Sequence, residues 1–358
     1  MKVLIAMSGG VDSGVAALIV KRQGYDCIGC TMKLYDNEEI GVSRKHTCCT
    51  LDDVEDARSV ARHLSIPYYV FNFKDGFRET VIDKFVRSYE NGLTPNPCID
   101  CNRYMKFDRL YDRARVLGCE KIVTGHYAQI EKENGKYVLK KAADKAKDQS
   151  YVLYSMTQEQ LEHTLFPLGN MKKSETRQMA EENGLVNSDK PDSEDICFVP
   201  DGNYAKTIEH LTGRHYPAGD YVLSDGTVIG RHKGIICYTI GQRKGLGISA
   251  GKPLYVCEIS PEKNTVTLGD EAQLFSNTFI CKGFNWISGA SPTKDIRCNV
   301  KIRYRQKEQP ATVAPLSDGS VKIVFDSPQR AVTPGQSAVL YDGDTVLGGG
   351  EIFYVQRN

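Results

Sequence analysis

The chain has 358 residues, of which 41% are hydrophobic and 25% charged, as expected for a globular protein of two or three domains. Its formal net charge of +1 creates no overall field that attracts nucleic acid, so any such binding must use local basic patches. No apolar run is long enough to cross a membrane, and Val3–Met7 is too short for a signal peptide, which predicts a cytoplasmic protein. There, the 12 cysteines are expected to be reduced, catalytic or metal-bound.

The first predicted elements are a strand, a glycine loop and a helix. The apolar run Val3–Ile5 predicts the strand, and the apolar-periodic segment Val15–Val20 predicts the helix. Between them the chain reads Ala6-Met7-Ser8-Gly9-Gly10-Val11-Asp12-Ser13. The glycines let the backbone approach a ligand closely, and a helix N-terminus with serine hydroxyls suits an anion. Asp12 is unexpected beside phosphates unless it holds a cation such as Mg²⁺.

This loop is neither of the two commonest nucleotide-binding motifs. It lacks the Gly-Lys-Ser/Thr of a Walker A loop, and it is not Gly-x-Gly-x-x-Gly. Ser-Gly-Gly-x-Asp-Ser directly after the first strand resembles the PP-loop of the ATP pyrophosphatases, which cleave ATP between the α and β phosphates. The alternative is a tight strand–helix turn that binds no ligand.

Strands and helices alternate over the following hundred residues. Strands are predicted at Tyr25–Leu34, Pro67–Phe73 and Lys121–Thr124, and helices at Leu51–Leu64, Phe77–Tyr89 and Tyr104–Leu117. This order indicates an α/β domain with a doubly wound parallel sheet. In such sheets ligands bind at the carboxyl ends of the strands, where the glycine loop, Met32 and Gly125 would lie.

The pattern changes near residue 203. Before it, Lys132–Lys147 predicts a polar hairpin with a lysine-rich loop, and helices are predicted at Gln158–His163 and Ser174–Asn183, the latter capped by Ser174. After Gly202, short runs separated by turn residues predict the strands of small β-barrels. These runs are Asp220–Leu223, Tyr255–Ile259, Thr265–Leu268, Thr278–Cys281, Arg297–Tyr304, Val321–Phe325 and Ser337–Tyr341. We therefore expect three domains, 1–202, 203–275 and 276–358.

Two distant cysteines have informative surroundings. In the segment Thr94–Asn102, two prolines fix the start of a helix, so Cys101 is expected near a helix N-terminus, where the dipole lowers a thiol pKa. Cys197 has apolar neighbours within the acidic segment Asp192–Phe198. Most other cysteines lie in apolar or strand contexts and are expected to be structural: Cys27, Cys30, Cys119, Cys237, Cys257, Cys281 and Cys298. The role of the adjacent Cys48 and Cys49 stays open.

Taken together, the motifs resemble the bacterial tRNA-specific 2-thiouridylases of the MnmA/TrmU family from end to end. The matching segments are Ser8–Ser13, Asn96–Asn102, Gly125–Ala128, Lys147–Tyr151, Leu165–Gly169, Asp195–Phe198, Thr239–Gly247, Arg303–Gln306 and Pro334–Ala338. The resemblance implies a PP-loop (adenine nucleotide α-hydrolase-like) domain followed by two small β-rich barrel domains. It also implies an ATP-dependent sulfurtransferase that makes 2-thiouridine at the wobble position of tRNA and releases AMP and pyrophosphate.

The resemblance also assigns roles to single residues. Cys101 matches the nucleophile, Cys197 matches the cysteine that carries a persulfide, and Asp12 is expected to act in catalysis. The ATP-binding positions are Ala6, Met7, Ser8, Gly9, Gly10, Val11, Asp12, Ser13, Met32 and Gly125. Asn96, Pro97 and Cys98 match the segment that meets the target base, and the other tRNA-contacting positions are His126, Lys147, Asp148, Gln149, Arg303, Tyr304, Arg305 and Gln336. A cysteine desulfurase or sulfur-relay protein would donate sulfur to a monomeric enzyme.

The implied chemistry has two halves. Attack of the uracil O2 on the α-phosphate releases pyrophosphate, with Mg²⁺ near Asp12 and the loop amides stabilising the developing charge. Sulfur then arrives by one of two routes that the sequence does not distinguish. Either a Cys197 persulfide attacks C2 and Cys101 resolves the link as a Cys101–Cys197 disulfide, or Cys101 first releases hydrosulfide, which attacks C2.

Cys98 departs from the commoner family pattern, which has an aspartate that could act as an acid or base. A thiol does not replace that group closely. With Cys101 and Cys197, it gives three thiols that could ligate a [4Fe–4S] cluster with one open site, as in related sulfur-inserting PP-loop enzymes. The alternatives are a Cys101–Cys197 redox pair without Cys98, or purely structural thiols.

Several of these positions also have simpler interpretations. His126 could be a satisfied polar residue at a sheet edge, Lys147–Gln149 a solvated loop, and Thr239–Gly247 a plain turn rather than a clamp on tRNA. Arg303 and Arg305 alternate on a predicted strand and would share one face, which suits either solvent or RNA.

Two other functions fit parts of the sequence. A PP-loop enzyme acting on a small-molecule carbonyl would need neither the two distant cysteines nor RNA-binding barrels. A non-catalytic RNA-binding or sulfur-carrier protein would not need an intact PP-loop.

Overall fold

A computed structural model describes residues 1–41, 51–192, 195–199, 201–248 and 251–357. Cys48 and Cys49, together with Ser193 and Glu194 of the acidic segment, lie outside the described residues. The strands are β1 (Lys2–Ala6), β2 (Asp26–Lys33), β3 (Tyr68–Asn72), β4 (Lys121–Val123), β5 (Ala128–Glu133), β6 (Lys136–Lys141), β7 (Thr164–Leu165), β8 (Gly219–Val222), β9 (Val228–His232), β10 (Tyr255–Ser260), β11 (Thr265–Gly269), β12 (Phe275–Trp286), β13 (Ile296–Lys301), β14 (Gln309–Pro315), β15 (Val321–Arg330), β16 (Ser337–Asp342) and β17 (Thr345–Gln356).

The helices include two long ones with π-helical middles. α3 consists of the consecutive segments Lys74–Phe77, Arg78–Ile82 and Asp83–Glu90, and α4 of Pro97–Asp100, Cys101–Arg109 and Leu110–Val116. The others are α1 (Val11–Arg22), α2 (Leu51–His63), α5 (Gln158–Glu162), α6 (Lys173–Glu182) and α7 (Tyr204–Thr212), with 3₁₀ turns at Ser150–Leu153, Ile235–Cys237 and Glu271–Leu274.

The N-terminal part is built on a five-stranded sheet in the order β3-β2-β1-β4-β7, with every neighbouring pair parallel. Strand β1 is buried on both faces, because Leu4 packs in one hydrophobic cluster while Val3 and Ile5 pack in another. Helices α3 and α4 contribute to the first cluster, and α1 and α2 to the second. The predicted doubly wound parallel sheet is therefore confirmed, and the carboxyl ends of β1, β2 and β4 share one edge.

The cysteines of β2 lie where their spacing predicts. Cys27 is 2% exposed and packs in the cluster beside α1, whereas Cys30 is fully buried in the cluster on the opposite face. Two side chains three residues apart on a strand point to opposite faces, so these thiols cannot share a metal ion. Their predicted structural role is confirmed.

Two predictions about helices are wrong. Lys172, rather than Ser174, is the N-cap of α6, and the Glu175 carboxylate accepts a hydrogen bond from its backbone N–H at 2.7 Å. Helix α7 follows Gly202, where only strands were predicted, because nine residues are too few to show clear periodicity. Asn203 caps α7 by accepting a hydrogen bond from the Lys206 N–H at 3.1 Å.

The C-terminal half is β-rich, as predicted. Strands β10-β11-β8-β9 form one sheet, and β12-β15-β14-β13-β16-β17 close into a barrel through pairing of β12 with β17. A hairpin is present as β5 and β6, but it begins at Ala128 rather than at the predicted Lys132. It extends the barrel sheet because Leu139 pairs with Val346. Strand β17 escaped prediction because Gly348–Gly350 interrupt the alternation of side chains. Within the described ranges, no helix is long and apolar enough to cross a membrane.

Candidate active site

The glycine loop lies at the carboxyl end of β1 and is fixed by its own hydroxyls. The Ser8 N–H donates to Ser13 Oγ at 3.1 Å, and Ser13 Oγ donates to the Gly10 carbonyl at 2.9 Å. Gly9 has a φ of 79° and lies so close to the Asp53 backbone that a Cβ would come within 2.3 Å of its carbonyl oxygen. Gly10 has no side chain to cap α1, so the first N–H groups of that helix remain available to an anion.

The end of β4 contacts the start of α1. A Cβ on Gly125 would lie 2.8 Å from the carbonyl carbon of Asp12 and 2.9 Å from the Ser13 nitrogen. Only glycine allows this approach. Met32, near the carboxyl end of β2, packs against the adjoining hydrophobic cluster. The loop, Met32 and Gly125 therefore lie at the strand edge where the sequence predicts a nucleotide site.

Asp12 is held by Lys173, which lies outside every sequence motif described above. Lys173 Nζ lies 2.7 and 2.8 Å from the two carboxylate oxygens of Asp12, and the Tyr127 hydroxyl donates to one of them at 2.8 Å. Lys173 also forms an ion pair with Asp192 at 2.7 Å. The available signal was its place at the start of α6, shortly after the matching segment Leu165–Gly169.

The Asp12 carboxylate remains a suitable Mg²⁺ ligand. Its side chain is 32% exposed, and Mg²⁺ in phosphate sites commonly uses one or two carboxylates together with phosphate oxygens. Lys173 would then have to exchange its contacts with Asp12 for contacts with the phosphates.

Asp192 forms ion pairs with two further cationic side chains. Lys147 Nζ lies 2.8 Å from its Oδ2, and Arg177 donates to its Oδ1 at 2.9 Å. Burial raises the pKa of Asp192, but the hydrogen bonds from Lys147 and Lys173 outweigh burial and lower this pKa to about 2. Asp192 is therefore ionised under physiological conditions.

The predicted lowering of the Cys101 pKa is wrong. Asn96 caps α4 by accepting a hydrogen bond from the Cys98 N–H at 3.2 Å, so the helix begins four residues before Cys101. The helix dipole acts most strongly in the first turn, and Cys101 lies beyond that turn. Burial raises the pKa of its thiol, and the charge of Lys106 opposes this shift without cancelling it.

Cys197 is positioned by its neighbours. The Tyr35 hydroxyl donates to the Cys197 carbonyl at 2.7 Å, and the buried ring of Phe198 makes edge contacts with Phe77 and Phe85 at 5.8 and 5.1 Å between centroids. The Cys197 side chain is half-buried, as is that of Cys101. The backbone of this segment is thus anchored while its thiol stays accessible.

The structure does not bring the three thiols together as the cluster-binding alternative requires. Among the residues that the structure describes, no group of three His, Cys, Asp or Glu side chains is placed to hold a metal ion. Cys98 is exposed at the start of α4, whereas Cys101 packs against the hydrophobic core. This arrangement does not support iron–sulfur ligation by Cys98, Cys101 and Cys197.

Several predicted tRNA-contacting positions converge between α4 and the barrel. Gln336 Nε2 donates to the Thr94 carbonyl at 2.8 Å, beside the Asn96–Cys98 segment. Burial raises the pKa of Tyr304, and Asp148 and Cys98, which lie within electrostatic range of it, raise this pKa further. The Tyr304 ring nevertheless remains 37% exposed.

Arg303 and Arg305 do not share a strand face, contrary to prediction. Strand β13 ends at Lys301, and the arginines lie in the turn that follows. Arg303 points inward, donating to the Ala331 carbonyl at 2.7 Å and Thr333 Oγ1 at 3.0 Å, whereas Arg305 is exposed.

Other predicted tRNA-contacting residues use their polar groups within the protein. Asp148 accepts a hydrogen bond from Ser150 Oγ at 2.8 Å, and Gln149 Oε1 accepts one from the Tyr127 N–H at 2.9 Å. His126 is 8% exposed, with Nδ1 at 2.6 Å from Thr124 Oγ1. Burial and the neighbouring Lys106 lower the pKa of His126 well below its usual value, so the imidazole is neutral. These contacts favour the structural interpretation, and tRNA contact by these residues stays a prediction.

Comparisons with known proteins cover nearly the whole chain. Residues 1–201 match a family model described as tRNA methyl transferase HUP domain, 207–270 the corresponding PRC-barrel domain, and 276–352 an aminomethyltransferase beta-barrel domain. The two barrel matches agree with the predicted β-rich domains.

Curated relatives are similar over almost their full length. Proteins named tRNA-specific 2-thiouridylase MnmA are 51% identical in Clostridioides difficile (strain 630), over 98% of both chains, and in Clostridium acetobutylicum, over 98% of this chain and 99% of the relative. A solved complex of a 4-thiouridine synthetase with RNA and ATP is similar over 56% of this chain and 45% of its own, at 20% identity and with a TM-score of 0.37.

Proposed function

Because the chain belongs to the family of tRNA-specific 2-thiouridylases named MnmA, we propose that it is an ATP-dependent sulfurtransferase that converts the wobble uridine of tRNA into 2-thiouridine. One observation from the geometry supports this function most directly. Gly125 contacts the loop that would bind ATP, while the next residue, His126, lies 3.4 Å from Lys106, whose charge acts on Cys101. An activating site and a nucleophile are thus joined through two consecutive residues.

We propose that the loop residues bind the polyphosphate of ATP. The first-turn N–H groups of α1 and the Ser8 and Ser13 hydroxyls would hold it, and Lys173 would add a positive charge. Mg²⁺, when held by Asp12, would neutralise further phosphate charge. The uracil O2 would attack the α-phosphate and displace pyrophosphate, leaving a base whose C2 accepts a sulfur nucleophile.

The proposed sulfur step uses Cys101 and Cys197. The half-buried thiol of Cys197 would receive persulfide sulfur from a cysteine desulfurase or a sulfur-relay protein. Cys101 would either resolve the covalent link as a Cys101–Cys197 disulfide or release hydrosulfide beforehand. Burial raises the pKa of Cys101, and the positive charge of Lys106 would favour formation of its thiolate. We further propose that the protein acts as a cytoplasmic monomer.

The proposed tRNA surface combines two parts of the chain. Cys98 lies within electrostatic range of Tyr304. The Thr239–Gly247 segment carries the exposed Arg243 and Lys244, and a Cβ on its Gly241 would lie 4.0 Å from Arg303 Nη2. An exposed aromatic ring beside basic groups suits an unstacked base and its phosphate.

Mass spectrometry of tRNA tests this function. Incubation with ATP, Mg²⁺, cysteine and a desulfurase should exchange oxygen for sulfur at a uridine, and Cys197→Ser should abolish the exchange. Cys298→Ser is a matched control, because this half-buried thiol lies on barrel strand β13. A tRNA that binds but keeps its mass would instead indicate a non-catalytic RNA-binding protein.

A further inference from the structure

The Asp192 carboxylate is shared by cations from separate parts of the chain. Its Oδ1 lies 2.7 Å from Lys173 Nζ and 2.9 Å from Arg177 Nη2, while its Oδ2 lies 2.8 Å from Lys147 Nζ. The Asp192 side chain is only 23% exposed, so water and salt screen these interactions incompletely. A change in the position of one cation therefore alters the interaction of Asp192 with the other two.

Two of these cations face the two proposed substrates. Lys173 contacts both carboxylate oxygens of Asp12 beside the ATP loop, and Lys147 belongs to a segment predicted to contact tRNA and is 38% exposed. Arg177 differs, because it also donates to the backbone carbonyls of Ser188 and Lys190, each at 3.2 Å. Arg177 is thus a fixed partner of Asp192, whereas Lys173 and Lys147 have competing partners when substrates bind.

We propose that Asp192 acts as a counter-ion shared between the ATP and tRNA sites, so that bound nucleotide weakens tRNA binding and bound tRNA weakens nucleotide binding. A polyphosphate carries more negative charge than one carboxylate and draws Lys173 away from Asp192. The repulsion between Lys173 and Lys147 then falls, and Asp192 attracts Lys147 more strongly. Transfer of Lys147 to a tRNA phosphate becomes more costly. Linkage requires the effect to be reciprocal.

This coupling rests on the proposed function, and it implies that the affinity for tRNA changes during the reaction. Once pyrophosphate leaves, Lys173 returns to Asp192, and Lys147 becomes easier to transfer to the tRNA backbone. The activated tRNA is therefore held more tightly after adenylation than before it, during the interval in which sulfur must arrive.

The test measures tRNA affinity by fluorescence anisotropy, with and without Mg²⁺ and an ATP analogue that cannot be cleaved between the α and β phosphates. In the unmodified protein the analogue should raise the Kd for tRNA about fivefold. In Asp192→Asn the ratio of the two Kd values should approach one. Asp326→Asn is the control and should keep the fivefold ratio, since it removes a surface ion pair with Arg297 in the barrel.

A second variant guards against loss of folding in Asp192→Asn. Lys147→Gln should weaken tRNA binding, because it removes the proposed phosphate contact, and it should also bring the ratio to one. A ratio of one in the unmodified protein, tighter tRNA binding with the analogue, or a ratio that persists in both variants would overturn the proposal. Failure of the unmodified protein to bind tRNA or the analogue would overturn the proposed function as well, and is visible in the individual affinities.

Discussion

Among single residues, Gly125 shows how closely the nucleotide edge is packed. The backbone of Asp12 and Ser13 lies so close to the Gly125 Cα that there is no room for a Cβ atom. The same contact sets the position of the first turn of α1. A side chain at this position would therefore move the helix N–H groups that we propose bind phosphate.

Replacing Gly125 by alanine should weaken nucleotide binding by about tenfold, because a Cβ would lie 2.8 Å from the Asp12 carbonyl carbon and displace the start of α1. Isothermal titration calorimetry with the uncleavable analogue measures this change. Gly230→Ala is the matched control, since the nearest atom to its Cβ would be 3.4 Å away. Unchanged affinity in Gly125→Ala would show that the start of α1 does not form the site.

Among the elements, α4 determines the chemical environment of Cys101. Its capped start at Asn96 leaves Cys98 exposed and places Cys101 half-buried against the core, near Lys106 on the same helix. Burial and the lysine then act in opposite directions on the thiol pKa. The reactivity of Cys101 should therefore depend on both pH and Lys106.

Lys106→Met should slow alkylation of Cys101 by iodoacetamide several-fold at about pH 8, where reaction follows the thiolate fraction. Lys106 lowers a pKa that burial has raised, so removing its charge raises the pKa further and leaves less thiolate. The two rates should converge once the pH exceeds both pKa values. Peptide mass spectrometry follows the modification of Cys101.

The control for this experiment is Lys206→Met, which removes an exposed lysine on α7. It should leave the Cys101 alkylation rate unchanged. Equal rates for the unmodified protein and Lys106→Met across the pH range would contradict the assigned influence of Lys106.

The sequence predicts elements better than it predicts their electrostatic neighbours. Apolar spacing was enough to identify the parallel sheet and the structural thiols Cys27 and Cys30, because one-dimensional periodicity reports burial directly. The environment of Cys101 depends on where α4 begins, and a shift of one helical turn changed its predicted pKa. The partnership of Lys173 with Asp12 joins residues 161 positions apart, and no local pattern encodes such a contact.

At the scale of the whole molecule, the proposed tRNA surface depends on how the barrel meets α4. Gln336 donates to the Thr94 and Pro95 carbonyls, and Tyr304 lies near Cys98. The net charge of the chain is only +1, so affinity for RNA must come from this local surface rather than from a long-range field.

Tyr304→Ala should weaken tRNA binding about tenfold, because base stacking on an aromatic ring contributes about 1–3 kcal/mol. Phe275→Ala is the control, since this ring is equally exposed, at 37%, but lies at the start of β12. Anisotropy titrations should also show affinity that falls steeply with salt. A flat salt response, or equal losses in the two variants, would contradict a tRNA surface at Tyr304.

The β5–β6 hairpin gives the molecule an order of assembly. Lys141 Nζ donates a hydrogen bond to the Gly343 carbonyl where the hairpin meets the barrel. These residues are 202 positions apart, so a ribosome makes the hairpin long before β17. Until then, the edge of β6 that pairs with β17 has no strand beside it, and such edges invite pairing with other chains. Late addition of β17 therefore closes the barrel and also covers the exposed edge of β6, which would otherwise favour aggregation.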